Sequence, residues 1–325
     1  MDIYNDLVNG KTINKETALF LADAPDPAAL CTLADEVRRF FMGNHFHLCS
    51  IINARSGNCS EDCRFCAQSA RHHTGIKTYT LIEEKKVVEQ ALDNDHYGVH
   101  RLSLVTSGRR LEETQLKEMR PLYGVIAENT SLDLCASMGL LDEHGLQQLR
   151  TMGVSRYHCN LEASAGYFPR ICTSHSHQQK VQTLRRAEKA GFSICSGGIL
   201  GMGESMEDRI DLAFELRDLG VLSIPINILS PIAGTPFSGR SVLSLQEVLI
   251  SVALFRLINP QAVIRMAGGR QQLGREQYRC FSAGANGAIV GNYLTTVGSG
   301  IREDLVALAD LGFTFSAECD GRASA

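Results

Sequence analysis

Hydrophobic and polar residues follow two different periods along this chain, and the two periods take turns from about residue 46 onward. Short runs rich in β-branched residues predict buried strands, and the amphipathic stretches between them have the period of helices. A strand followed by a helix, repeated eight times, predicts a (β/α)8 TIM-type barrel with mostly parallel strands. The eight strands are predicted near residues 47–54, 99–107, 131–137, 154–162, 192–199, 222–229, 262–268 and 287–294.

The first 45 residues contain apolar positions at helical spacing, in TALFLAD and LADEVRRFFMGN. They predict an N-terminal helical extension. The chain has no Pro-rich linker, low-complexity segment or internal repeat. We therefore predict an extension over residues 1–45, one barrel over 46–312 and a C-terminal tail over 313–325. In such a barrel, functional side chains follow the C-terminal ends of the strands.

The overall composition excludes several classes of partner. Hydrophobic residues make up 44% of the chain, charged residues 21%, and the formal net charge is -4. This charge gives no reason to expect nucleic acid, and no apolar run is long enough to span a membrane. The N-terminal residues lack the order of a signal peptide, so we expect a cytoplasmic protein that acts on small molecules.

The eleven cysteines indicate metal binding. Cytoplasmic thiols are kept reduced, so a disulfide scaffold is not expected. Free cysteines are also common in protein interiors. On this basis we interpret Cys31, Cys49, Cys280 and Cys319 as packing or surface residues.

The stretch GNCSEDCRFCAQS contains Cys59, Cys63 and Cys66 directly after the first predicted strand. A structural zinc site normally has four ligands in paired groups, and no second C-x-x-C or His pair is available at a familiar offset. Iron-sulfur clusters are held by thiolates, and three thiolates leave one iron of a cubane open to substrate or cofactor. The spacing therefore favours a catalytic 4Fe-4S cluster over zinc.

With Phe65 just before the last cysteine, this motif resembles the radical S-adenosylmethionine superfamily. The resemblance implies that the open iron binds the amino and carboxylate groups of S-adenosylmethionine. It also implies that an electron from the cluster cleaves this cofactor to a 5'-deoxyadenosyl radical. The barrel would then hold a C–H bond near the radical and exclude water, which requires positioning and no acid–base catalyst.

Longer stretches between about residues 10 and 312 resemble the biotin synthase family of this superfamily. They are DCRFCAQSAR, CSGGILGMGE, VLSIPINILSPIAGTP, VIRMAGGR and CFSAGANGAIVGNYLTT. The resemblance implies a sulfurtransferase that inserts sulfur between two unactivated carbons of dethiobiotin, with an auxiliary iron-sulfur cluster as sulfur source. As partners we expect a flavodoxin- or ferredoxin-type electron donor, iron-sulfur assembly proteins and a second copy of the chain in a homodimer.

The auxiliary cluster is where this sequence departs from the family. Its usual 2Fe-2S cluster is held by three cysteines and an arginine, and Cys135, Cys195 and Arg265 match three of these positions. For Arg265, a salt bridge is the structural alternative. The second-strand position is Ser103, and a hydroxyl is a poor ligand for such iron. The cluster is therefore lost, rebuilt with another ligand, or of a different kind.

Two further cysteines could replace the missing thiolate. Asn160 matches a residue that faces the cavity, so its neighbour Cys159 should point away, because side chains alternate along a strand. Cys172 lies in the loop after that strand, where alternation does not apply. We therefore expect Cys172 as the third thiolate, with Cys159 as the alternative, and a cluster of either the 2Fe-2S type or a four-iron type with an extra sulfide.

The resemblance also implies the residues that bind small molecules. Lys180 stands where the best-known members have an arginine, so it keeps the charge but loses the bidentate fork. We interpret His175 and His177 as surface or loop residues and not as ligands. The implied cofactor-binding residues are Phe65, Asn160, Glu162, Lys180, Gly198 and Gly201, and the implied substrate-binding residues are Asn160, Asn227, Thr295 and Thr296.

Two alternatives remain open from the sequence. One is a related radical S-adenosylmethionine enzyme, such as a methylornithine synthase or a hydrogenase-maturation protein. The other is a non-catalytic iron-sulfur protein that transfers electrons or acts as a scaffold. The joint presence of Cys135, Cys195, Arg265 and the LTT ending favours the biotin synthase family over both.

Overall fold

The computed structural model of the chain describes residues 2–23, 25–291, 294 and 300–315. In this part of the chain, one parallel sheet closes on itself, and β5 and β6 are two halves of a single barrel strand that both pair with β7. The predicted (β/α)8 barrel is therefore confirmed. Its strands are β1 (His47–Arg55), β2 (Arg101–Thr106), β3 (Asp133–Ser137), β4 (Arg156–His158), β5 (Ser193–Cys195), β6 (Gly198–Leu200), β7 (Ser223–Ile228), β8 (Val263–Met266) and β9 (Gly287–Ile289).

Helices surround the barrel, and three more precede it. The N-terminal helices are α1 (Ile3–Val8), α2 (Lys15–Ala22) and α3 (Pro27–Met42). The remaining helices are α4 (Glu84–His96), α5 (Glu113–Asn129), α6 (Glu143–Thr151), α7 (His177–Lys189), α8 (Met206–Asp218), α9 (Leu245–Ile258) and α10 (Ile301–Asp310). Two 3-10 segments, Phe168–Arg170 and Arg270–Ala283, complete the described elements.

Strand β1 shows how alternation separates the two sides of the barrel wall. Its even-numbered residues, such as Leu48 and Ile52, are buried, and the odd-numbered ones are partly exposed. Cys49 and Ile51, among the odd-numbered ones, line a cavity inside the barrel. Because successive side chains of a strand point to opposite faces, this pattern places Cys49 inside the barrel.

The fifth barrel strand is interrupted at Gly197, where the sequence predicted one continuous strand. A Cβ atom on Gly197 would overlap the carbonyl oxygen of Pro225, and a Cβ on Gly198 would lie 2.6 Å from the carbonyl oxygen of Glu162. Neighbouring backbones therefore approach too closely for a side chain here. Glycines at this point let the segment that follows β4 meet β6 through a bridge between Glu162 and Gly198.

The N-terminal extension packs on the outside of the barrel. Asp26 caps α3 by accepting hydrogen bonds from the backbone of Ala28 and Ala29, and α3 then packs against α9. At the end of the barrel where the strands begin, Thr314 pairs with His45, just before β1. The proposed boundaries after residues 45 and 312 stay predictions, and residues 316–325, with Cys319, lie outside the described residues.

Among the described residues, none of the helices combines the length and the apolar character that crossing a membrane requires.

Candidate functional site

The three cysteines of the motif line one cavity at the C-terminal ends of the strands. Cys59 is held in the loop by two backbone hydrogen bonds, its own N–H to Gln68 at 3.0 Å and that of Ala70 to its carbonyl at 2.8 Å. The structure thus brings the predicted cluster ligands together. We call this space the outer cavity, and its lining residues are Cys59, Glu61, Cys63, Phe65, Cys66, Gln68, Val105, Thr106, Ser107, Gly108, Arg109, Ser137, Gly139, Leu140, His158, Cys159, Asn160, Glu162, His175, Lys180 and Leu294.

Glu162 and Lys180 form an ion pair in the wall of the outer cavity. The Lys180 Nζ lies 3.9 Å from Glu162 Oε1, and both side chains are largely buried. Burial lowers the pKa of Lys180, but the nearby Cys159 and Glu162 outweigh it and raise the pKa overall. Among the described residues, the buried Glu162 Oε2 has no hydrogen-bond partner. A ligand with a hydroxyl and a carboxylate, such as S-adenosylmethionine, would satisfy both groups.

A second cavity lies deeper in the barrel and contains the predicted auxiliary ligands. Cys135, Cys195 and Arg265 all line it, together with Ser103. Ser103 Oγ is buried and has no hydrogen-bond partner within the described residues. We call this space the inner cavity, and its lining residues are Cys49, Ile51, Ser103, Val105, Cys135, Ser137, Arg156, His158, Asn160, Glu162, Cys195, Ser223, Pro225, Asn227, Arg265, Ala267, Ile289 and Leu294.

The surroundings of Cys195 favour the ionised form of its thiol. Its Sγ lies 3.3 Å from His158 Nδ1 and 3.4 Å from Ser223 Oγ. Burial raises the pKa of Cys195, but the charges of His158, Arg156 and Arg265 outweigh it and lower the pKa to about 6. A group that is already ionised near neutral pH is ready to serve as a metal ligand, because the thiolate is the ligating form.

The other two thiols that line the inner cavity, Cys135 and Cys49, have raised and not lowered pKa values. Burial raises the pKa of Cys135 to about 12, and burial also raises the pKa of Cys49. Arg265 is buried, and its Nη1 donates to the carbonyl of His47 at 2.8 Å and to that of Ala288 at 3.5 Å. In the described part of the chain, its acceptors are thus backbone oxygens and not a carboxylate, which disagrees with the salt-bridge alternative.

Cys172 lies at a different place from the one expected. Its Sγ is 3.7 Å from Cys63 Sγ and 3.3 Å from His175 Nδ1, beside the motif loop. The hydrogen bond with Cys63 lowers the pKa of Cys172 to about 4 and raises that of Cys63. Cys172 does not line the inner cavity within the described residues. The structure therefore does not bring it together with Cys135 and Cys195, because its loop folds back over the motif.

Cys159, the alternative, also stays away from the inner cavity. Its side chain is buried in the main hydrophobic cluster and lines only the outer cavity of the two. Its neighbour Asn160 lines both cavities, as strand alternation leads one to expect. Neither of the two cysteines chosen from the sequence thus supplies a third thiol beside Cys135 and Cys195.

The residues expected at the substrate are partly engaged by the backbone. The amide of Asn227 donates to the carbonyl of Gly198 at 3.2 Å and accepts from the N–H of Gly268 at 3.0 Å. Asn160 Oδ1 accepts from the N–H of Gly197 at 3.0 Å. In the hydrogen bonds of the described residues, Asn227 thus keeps one amide N–H for a ligand and Asn160 keeps both. Thr295 and Thr296 lie outside the described residues.

Phe65, Gly198 and Gly201 have different roles in shaping the site. Phe65 lines the outer cavity. Gly198 allows the close approach to Glu162, and Gly201 has a φ of +95°, a conformation that favours glycine. Among the described residues, these two glycines do not line either cavity.

The structure corrects one interpretation from the sequence and refines a second. Cys49 is not a packing residue, because its side chain lines the inner cavity. His175 lies in a loop, as interpreted, but its side chain is buried, and its ring contacts Cys172 and binds Glu61 Oε2 at 2.6 Å. The sequence analysis also missed His158 and Arg156. Strand alternation was the available signal for Cys49, since it shares its side of β1 with Ile51.

The two cavities adjoin and share part of their walls. The residues common to both are Val105, Ser137, His158, Asn160, Glu162 and Leu294. A molecule bound between the two cavities would contact lining residues of both. A site of this kind can expose one substrate to two reactive groups at once.

The barrel and its three-cysteine loop define a radical S-adenosylmethionine enzyme, and residues 54–216 match the radical SAM superfamily. Residues 225–314 match the Biotin and Thiamin Synthesis associated domain. The chain is 53% identical over 311 residues to the biotin synthase of Desulfotalea psychrophila, covering 95% of this chain and 92% of that protein. It is 50% identical over 309 residues to that of Heliobacterium modesticaldum, covering 94% and 95%. The chain belongs to the biotin synthase family.

Solved structures confirm the fold alone. A methylornithine synthase superposes with a TM-score of 0.83 at 20% identity, covering 96% of each chain. The FeFe-hydrogenase maturase of Carboxydothermus hydrogenoformans gives 0.81 at 18% identity, covering 98% of this chain and 80% of that one. Membership of the family, in contrast, means that the chain is an enzyme that uses a 4Fe-4S cluster and S-adenosylmethionine.

Proposed function

We propose that this enzyme converts dethiobiotin to biotin with its two adjoining cavities, the outer for the radical cofactor and the inner for an auxiliary iron-sulfur cluster. The observation that carries the proposal is the convergence of Cys135, Cys195 and Arg265 in a cavity that shares its wall with the motif cysteines. When bound, the two groups would supply a carbon radical and a sulfur atom. The chain itself would bind, orient and shield the reactants.

In the outer cavity, Cys59, Cys63 and Cys66 would hold the 4Fe-4S cluster. The unpartnered Oε2 of Glu162 fits a hydroxyl of the cofactor's ribose, and Lys180 fits its carboxylate. Both side chains are largely shielded from water, so a charge-assisted contact here is stronger than one at the surface. Phe65 would cover the cofactor with an apolar surface.

Dethiobiotin would lie between the two cavities, next to the residues that line both, such as Asn160. Asn160 and Asn227 are held in place by backbone hydrogen bonds and keep donors for the ureido oxygen. Side chains fixed in this way lose little freedom when the substrate binds. Thr295 and Thr296 remain our proposal for the residues that bind the substrate carboxylate.

The family membership implies a redox partner, and we propose that it is a flavodoxin- or ferredoxin-type protein. Iron-sulfur assembly proteins would load the clusters, and two chains would form a homodimer. We also propose a cytoplasmic location, because thiols that ligate clusters need a reducing compartment.

Anaerobic reconstitution followed by product analysis tests the proposal. The wild type should convert dethiobiotin to biotin and release 5'-deoxyadenosine, and Cys59→Ala should form neither. Cys135→Ala should still form 5'-deoxyadenosine, because the outer cavity is intact, but no biotin. Cys280→Ala, which changes a core cysteine outside both cavities, is the matched control. Full biotin formation by Cys135→Ala would contradict the proposal.

A further inference from the structure

The register of the barrel strands relates Cys49 to Cys135. Cys49 on β1 pairs with Arg101 on β2, and Arg101 pairs with Asp133 on β3. In a barrel of this type the strands are tilted, so residues at one height shift by about one position from each strand to the next. Two strands from Cys49, the residue at equal height lies two positions beyond Asp133. That residue is Cys135.

The same step, two strands around the barrel and two positions along the chain, can be repeated, and after four steps it returns to Cys49. It leads from Cys135 to Cys195, from Cys195 to Arg265, and from Arg265 back to Cys49. The four therefore form one complete layer contributed by alternate strands, the arrangement that fills barrels of this kind. The paired residues that define these steps are Arg156 and Ser193, Ser223 and Val263, and Gly287 and His47.

Ser103 belongs to the neighbouring layer. It pairs with Ile51 on one side and with Cys135 on the other, so the same step leads from it to His158 and not to Cys195. A thiol at position 103 would thus reach a cluster from the layer above. Position 49 instead places a thiol at the height of Cys135 and Cys195, on the strand next to Ser103.

From this layer we propose that Cys49 is the third thiolate of the auxiliary cluster and replaces the one missing at Ser103. The inference rests on the proposed function, because it assumes a cluster in the inner cavity. All three thiols and Arg265 line that cavity. Iron-sulfur clusters are held by thiolates, so three thiols and a guanidinium that converge in one layer match the chemistry of the group.

The charges around the layer support this assignment. Burial raises the pKa of both Cys49 and Cys135, and the positive charges of Arg156 and Arg101 act against it at both thiols, with Arg265 also doing so at Cys49. Three buried thiolates need positive charge nearby, because an uncompensated buried charge is strongly unfavourable. Ser103 lines the same cavity from the layer above, and its buried hydroxyl has no hydrogen-bond partner among the described residues.

The decisive experiment isolates the inner cavity. In a Cys59→Ala/Cys63→Ala/Cys66→Ala background, only the auxiliary cluster can be reconstituted. Iron and acid-labile sulfide per chain, visible absorption and Mössbauer spectra then report on that cluster alone. Adding Cys49→Ser should remove most of this iron and sulfide, whereas adding Cys280→Ser should leave both unchanged. Unchanged iron and spectra in the Cys49→Ser protein would overturn the proposal.

Two further measurements separate the possible failures. With the motif cysteines intact, Cys49→Ser should still form 5'-deoxyadenosine but no biotin, which shows that the nearly isosteric variant folds. Cys135→Ala in the isolating background distinguishes the inference from the function on which it rests. If Cys135→Ala loses the iron and Cys49→Ser keeps it, only the role of Cys49 is wrong. If both keep it, the inner cavity holds no cluster and the proposed function is wrong.

Discussion

The sulfur of Cys172 is surrounded by polar groups at the mouth of the barrel. It lies 3.2 Å from Asp62 Oδ1 and 3.5 Å from Ser174 Oγ, as well as beside Cys63 and His175. The same Asp62 carboxylate accepts hydrogen bonds from the backbone of Thr173 and Ser174. These contacts fasten the Cys172 loop to the motif loop. Cys172 therefore lies beside the motif loop, and within the described residues it lines neither the outer nor the inner cavity.

We predict that Cys172→Ala does not affect the auxiliary cluster. Its side chain touches the motif loop and does not line the inner cavity in the described residues. In the background that lacks the three motif cysteines, the variant should bind as much iron and sulfide as its parent. Analysis of both elements after reconstitution checks this. Loss of iron comparable to that of Cys135→Ala would restore Cys172 as an auxiliary ligand.

Lys180 offers a second test at the scale of one residue. Its ammonium is buried beside Glu162, so Lys180→Met removes a positive charge while it keeps most of the apolar stem. A charge-assisted contact contributes about 1.5 kcal/mol or more, so the Kd for S-adenosylmethionine should rise on the order of tenfold. Calorimetric titration of the reconstituted protein measures this. Lys180→Arg, which keeps the charge, is the control, and equal Kd values for all three proteins would contradict the assignment.

The segment Arg270–Ala283 and helix α10 are joined by a buried ion pair at the C-terminal end of the barrel. Arg270 and Asp304 are both almost fully buried and bind each other in a bidentate pair. Tyr278 also donates to Asp304 Oδ1, at 3.0 Å. Arg270 in addition donates to the backbone of Ile289, at the end of β9. The pair therefore fixes two elements at the strand ends from which the site is built.

We expect Asp304→Asn to destabilise the protein strongly. The change removes the negative charge that pairs with the buried Arg270 guanidinium, and breaking such a buried pair costs about 3–5 kcal/mol. Urea unfolding followed by circular dichroism measures the difference in free energy. Glu276→Gln is the matched control, because its pair with Arg279 on the same segment is exposed and should contribute less than about 1 kcal/mol. Similar losses in both variants would show that burial does not determine the effect.

At the scale of the whole molecule, the sequence predicts local features and not the register that joins them. The eight strands and the motif of Cys59, Cys63 and Cys66 could be located because each depends on neighbours along the chain. The layer that contains Cys49 depends on pairings around the entire barrel, which no local pattern contains. Cys172 was misplaced for a related reason, because the path of a loop is set by tertiary contacts such as those with Asp62.

The division of the chain into an extension and a barrel is a further property of the whole molecule. One hydrophobic cluster contains Leu30 and Val37 of α3 together with strand residues such as Leu48. Helix α9, against which α3 packs, is buried from Val248 to Ile258. A core shared in this way indicates that the extension and the barrel unfold as one cooperative unit.

Leu30→Ala tests this cooperativity. The side chain is 4% exposed, so its truncation should destabilise the fold by about 2–5 kcal/mol. Hydrogen exchange measured by mass spectrometry reports the free energy of opening of each segment. If the two parts form one unit, the substitution should lower this free energy equally in β1 to β3 and in α3, wherever exchange occurs by global unfolding. Phe40→Ala on the same helix is the control, because Phe40 is 57% exposed and its loss should change stability by less than about 0.5 kcal/mol. Faster exchange confined to α1–α3 would instead show that the extension is an independent domain, and the boundary after residue 45 would then mark a true separation in folding.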